Sequence, residues 1–129
     1  RYAWALDTRQ WSDLDDVFCV DATAHLPTYL DSLDAIKWRV RRVLEPLDVS
    51  QHIVTNHQIV VQGAEASCRC QLQAQHVRTR SGQADHYLVG GHYIDRLVRT
   101  RSGWRIAYRE LKITWTQGDS SVVRPEPAN

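Results

Sequence analysis

Two hydrophobic periods divide this chain. Its first part repeats apolar residues at helical spacing, and its last seventy residues alternate apolar and polar positions as strands do. Tyr2, Ala5 and Leu6 predict a first helix over 2–8. Trp11, Leu14, Val17 and Phe18 predict a second over 10–18. Residues 19–26 read as a short strand with Ala22, Ala24 and Leu26 on one face, and Pro27 ends it. A longer helix follows, capped near Asp31 or Ser32 and closed by Pro46. Leu33, Ile36, Val40, Val43, Leu44 and Leu47 form its apolar stripe.

Four long strands complete the pattern, over 52–62, 64–78, 83–99 and 104–116. Gly63, Ser81-Gly82 and Ser102-Gly103 mark tight turns between them. Helices followed by a meander give an α+β fold. Strands this long exceed the usual five or six residues. They must coil, which predicts N-terminal helices packed in a strongly curved, mostly antiparallel sheet. A curled sheet capped by helices leaves a cavity fit for a ligand. Residues 1–117 read as one domain, and 118–129 as a polar, frayed tail.

Composition narrows the partners. The 16 basic and 15 acidic residues of the 129 leave a net charge of +1, without the footprint of nucleic-acid binding. The three cysteines have no paired CxxC spacing and read as reduced thiols of a cytoplasmic protein. No apolar run or leader-like segment predicts a membrane association. Arg1 already lies in a helical pattern, so the natural chain is expected to begin earlier. Five Trp and five Tyr against one Phe suit pocket walls and interfaces.

The candidate chemistry lies in three residues. His52 opens the first long strand and Asp7 ends the first helix. A carboxylate that meets an imidazole fixes its tautomer and raises its basicity. Arg109 sits mid-strand on the face of Ala107, Leu111 and Ile113, where burial requires a counter-ion or a bound anion. Five-residue spacing places His52 and His57 on opposite faces, and no histidine pair has the spacing of a zinc site, so no metal is expected. Cys68 and Cys70 share a face and read as core or pocket wall. Gly90-Gly91 marks a bulge or bend.

The segment Tyr2-Ala-Trp-Ala-Leu-Asp7-Thr-Arg-Gln-Trp11-Ser-Asp-Leu14-Asp-Asp-Val-Phe18 resembles the opening of SnoaL-like proteins, within the nuclear-transport-factor-2-like superfamily. His52-Ile-Val-Thr-Asn56 is similar to that family's third strand. Gly90-Gly-His-Tyr-Ile-Asp95, followed by Gly103-Trp-Arg-Ile106, is similar to its last hairpin. The resemblance implies a cone-shaped, cystatin-like α+β barrel and points to the scytalone dehydratase and hexachlorocyclohexane dehydrochlorinase branch. It implies an Asp7–His52 dyad working with no cofactor, with Arg109 as a third catalytic residue. Substrate-binding positions implied are Tyr2, Ala24, Cys68, Cys70, Val89 and Tyr93. Tyr2 stands where the dehydrochlorinase has a basic residue, and Ala24 where it has a tryptophan.

Two functions follow from these readings. One is a cofactor-independent lyase or isomerase of dehydratase or dehydrohalogenase type, acting on a small apolar cyclic molecule. The other is a non-catalytic ligand-binding or protein-interaction domain of the same fold. The small subunit of a ring-hydroxylating oxygenase is a third, lower-ranked reading. Self-association into a dimer or trimer is expected through the outer sheet face.

Overall fold

The computed structural model describes residues 1–124. The first helix, α1, spans Tyr2–Asp7 and is closed by the Thr8 hydroxyl, which donates to the Trp4 carbonyl at 2.6 Å. The chain then reverses at Arg9, whose φ of 61° lies in the left-handed region. The expected second helix is a single 3₁₀ segment, Trp11–Asp16. Ser12, Asp13, Asp15 and Asp16 are poor helix formers, and only Leu14 is fully buried there. The long helix, α2, spans Leu33–Leu44, and the Ser32 hydroxyl accepts the Ala35 N–H at 3.1 Å as its N-cap. Leu33, Ile36, Val40 and Leu44 form its buried stripe.

Six strands make one sheet: β1 (Phe18–His25), β2 (Tyr29–Leu30), β3 (Val49–Gln62), β4 (Glu65–Arg80), β5 (Gln83–Thr100) and β6 (Gly103–Gly118). Their order is β2-β1-β6-β5-β4-β3. All pairings are antiparallel except β1 with β6, which is parallel. The sheet curves around the helices but stays open, with β2 and β3 at its two edges. Leu6, Leu14, Phe18, Ile36 and Val122 lie deepest in the core between them.

Three irregularities bend the long strands. The β5–β6 register shifts at Gly90/Gly91 and again at Arg96/Leu97. A side chain at Gly90 would collide with the Trp115 indole, and one at Gly91 with the Lys112 carbonyl, so neither position admits a Cβ. The third bulge lies between Thr55 and Gln58 in β3, with Asn56 at φ 58°. It adds one residue to the strand. In consequence His57 and Ile59 share the inner face with His52, the reverse of what unbroken alternation gives.

The C-terminal end also departs from the frayed tail expected after residue 117. Ser120–Val123 form a 3₁₀ turn that returns to the sheet, and Val122 is only 1% exposed. The remainder of that expected tail, 125–129, lies outside the described residues. No helix of the described residues is long and apolar enough to cross a membrane.

Candidate functional site

Alternation along β3 turns Ser50, His52 and Val54 toward the helices, and α1 ends beside them. Asp7 and His52 meet there. The Asp7 Oδ1 atom lies 2.7 Å from His52 Nδ1, and Oδ2 accepts the His52 backbone N–H at 2.7 Å. A carboxylate only accepts, so Nδ1 carries the proton, and in the neutral ring Nε2 keeps its lone pair. The Ser50 hydroxyl donates to Asp7 Oδ1 at 3.0 Å and accepts from Arg9 Nη1 at 2.7 Å. Arg9 also donates to the Leu6 carbonyl at 2.7 Å, which ties the reversal after α1 to the dyad. Burial pushes the Asp7 pKa up, but the His52 ring and backbone donors, the His52 charge and Ser50 together outweigh it. The carboxyl sits below its ordinary range.

His52 opens onto a cavity of about 210 Å³ between α1, α2 and the inner face of β3–β6. Its walls are mainly apolar, with Leu6, Val40, Leu72, Val89 and Leu111 among them. The polar groups on them are Tyr2, Arg39, His52, His76, Tyr87 and Tyr93. Burial raises the pKa of both Tyr2 and Tyr93, so their hydroxyls stay protonated donors.

His76 was not singled out in the sequence. It lies on β4, its ring 6.0 Å from that of His52, and its Nδ1 is 2.8 Å from the Tyr87 carbonyl. A carbonyl only accepts, so this nitrogen is also protonated and Nε2 is an acceptor. Burial lowers the His76 pKa against the effect of the Tyr87 hydrogen bond, which favours the neutral ring. The available signal was its two-residue phase with Cys70, Leu72 and Ala74, all inward-facing.

The other expected site residues divide. Tyr2, Val89 and Tyr93 line the cavity. Ala24 is fully buried in β1, where it stands beside Leu30 and Arg109, and does not line it. Cys68 and Cys70 border a second hollow further along the sheet, with His57 and Leu97. Burial pushes the Cys70 thiol up to about 11, so it is not a ready nucleophile.

Arg109 is off the lining of this apolar cavity, but with Tyr2, His52 and His57 it borders another hollow of about 510 Å³, and with Asp95 it borders the hollow of Cys68 and Cys70. Its inward position stands opposite Asp95 in the β5–β6 register, and a buried guanidinium takes the nearest carboxylate. Nε donates to Asp95 Oδ1 at 2.8 Å and Nη2 to Oδ2 at 2.7 Å. Its guanidinium carbon lies 4.0 Å from the Tyr93 ring centre and 4.5 Å from that of Tyr2. Nη1 is buried without a hydrogen-bond partner among the described residues. Toward the apolar cavity the arginine is a strut behind its tyrosine wall, while it also borders the hollow that it shares with His52. Among the described residues no group of three or more His, Cys, Asp or Glu side chains is arranged to hold a metal ion.

An open, curved sheet wrapped around short helices, with a polar cluster in the wall of an apolar cavity, defines a class of small α+β pocket proteins. Within it, the chain belongs to the SnoaL-like domain family, whose pattern matches residues 1–110. The terrestric acid biosynthesis cluster protein E of Penicillium crustosum is 31% identical over 101 residues, covering 74% of this chain and 64% of that protein's length. Solved structures agree on the fold. A scytalone dehydratase-like protein from Novosphingobium aromaticivorans superposes with a TM-score of 0.81 at 23% identity, over 99% of this chain and 87% of that one. A hexachlorocyclohexane dehydrochlorinase from Novosphingobium barchaimii gives 0.76 at 13%, over 97% and 87%. A nuclear-transport-factor-2-like protein from Salmonella enterica gives 0.78 at 16%, over 98% and 90%.

Proposed function

We propose that this chain is a cofactor-independent lyase or isomerase of dehydratase or dehydrohalogenase type, acting on a small apolar cyclic molecule. The carrying observation is the 2.7 Å contact between Asp7 and His52 Nδ1 at the wall of an apolar cavity. With that nitrogen held, His52 Nε2 takes a proton from carbon, and the Asp7 carboxylate stabilises the imidazolium that forms. The Tyr2 and Tyr93 hydroxyls are donors for charge that develops on the substrate, and neutral His76 accepts from a substrate hydroxyl. Fold neighbours that are dehydratase-like or dehydrochlorinases support the reaction class. A relative from a biosynthesis cluster supports a small organic substrate.

Proton abstraction is read directly as deuterium uptake from D₂O at the α-carbon of 2-tetralone, followed by NMR. His52→Ala should slow catalysed uptake by about 10²–10⁴-fold, and Asp7→Asn by a comparable order. The double variant should lose little more, because the pair acts as one unit. Uptake by His52→Ala at the wild-type rate would end this reading.

Self-association belongs to the same proposal. Ile53 and Trp115 on the outer sheet face are both more than two-fifths exposed, and Ile94 lies on the same face. A dimer or trimer that covers them should appear in light scattering at micromolar concentration, and a monomer there would refute it.

A further inference from the structure

One group in the cavity wall has no role in proton transfer. Among the described residues, Arg39 is the only Lys, Arg, Asp or Glu that lines the cavity. It lies on α2, one position before the buried Val40, and is itself half-buried. Its neighbours on that helix have partners: Lys37 pairs with Asp15 at 2.9 Å, and Arg41 with Glu45 at 2.7 Å. Among the described residues no hydrogen bond or ion pair holds the Arg39 guanidinium. Among the described residues no carboxylate lines the cavity to meet it, and Asp7 is already engaged by His52, Ser50 and the β3 backbone.

A guanidinium at a cavity wall with no protein partner is open to an anion from solution. Its planar fork matches a carboxylate through two parallel N–H···O bonds. Being partly exposed, Arg39 stands at the solvent side of a cavity whose Leu72, Ala74 and Tyr93 are buried. We infer that the substrate is a small cyclic molecule bearing one anionic group, a carboxylate or an equivalent oxyanion. Arg39 holds that group at the rim while the apolar ring lies inside, within reach of His52. This deepens the proposed function and rests on this cavity being the substrate site. It makes Arg39 the residue that selects acidic over neutral substrates.

The test compares 2-naphthoate with its neutral isostere 2-naphthamide, by calorimetric titration of the purified chain at pH 8. The wild type should bind naphthoate about ten- to a hundredfold more tightly, the range expected for hydrogen bonds to a charged group. Arg39→Gln should remove that preference and leave naphthamide binding unchanged, which also shows that the cavity is intact. Arg39→Lys should restore part of it. His52→Ala should keep the preference while losing proton abstraction, so the two readings fail separately. Equal affinities in the wild type, no binding of either compound, or a preference that survives Arg39→Gln would each overturn the inference. A preference lost in His52→Ala but kept in Arg39→Gln would do the same and assign the anion to the imidazole.

Discussion

Removing the Asp95 charge tests the reading of Arg109 as a strut. The two side chains face each other across β5 and β6 with two hydrogen bonds of 2.7–2.8 Å, and each residue is 5% exposed. Asp95→Asn leaves the guanidinium between the Tyr2 and Tyr93 rings with no counter-charge. Breaking a buried pair from one side costs about 3–5 kcal/mol. Domains are stable by only about 5–15 kcal/mol, so the loss is a large fraction of the total. At roughly 3–5 °C per kcal/mol for a chain of this length, the thermal midpoint should fall by roughly 10–20 °C. Asp95→Leu combined with Arg109→Met removes both charges at similar volume and should lie within about 2 kcal/mol of wild type. Urea denaturation followed by tryptophan fluorescence and circular dichroism measures all three proteins. The reasoning is refuted if Asp95→Asn costs less than about 1 kcal/mol, or if the double variant is as unstable as Asp95→Asn.

Stability should also fall with acidity in two stages. His76 has a lowered pKa in the fold, so the unfolded chain takes up a proton below about pH 6.5 that the folded protein resists, and stability drops from there toward the folded value. Asp7, lowered by its hydrogen bonds, contributes stability that is complete above about pH 4 and is lost as pH falls through its folded value. Denaturation series from about pH 8 to about pH 2 should show a slope between about pH 7 and 5 that His76→Phe flattens, and a second below about pH 4 that Asp7→Asn flattens; an unchanged slope in either variant refutes that stage. Gly91→Ala places a methyl group 2.1 Å from the Lys112 carbonyl oxygen and should cost about 1–3 kcal/mol in the same assay. A neutral substitution there would mean that the bulge yields freely.

Much was determined by the sequence because the signals were local. The stripe from Leu33 to Leu44, the serine cap and the glycine turns fix α2 and the meander through neighbours a few residues apart. Strand length predicted the curvature for the same reason. Asp7 and His52 were legible one at a time, as residue types at a helix end and at the start of a strand. Their meeting was not, because 45 residues separate them and only the packing of α1 on β3 brings them together. The bulge at Asn56 is likewise a product of β3–β4 pairing, and it reversed the face expected for His57. Register decided Arg109: an inward arginine reads alike whether it meets a ligand or Asp95, and the β5–β6 pairing chose Asp95. His76 and Val122 reached the interior, and Arg39 the cavity wall, through contacts between elements far apart in the chain. Periodicity can mark a face as inward, but only three-dimensional packing decides which part of the interior that face lines.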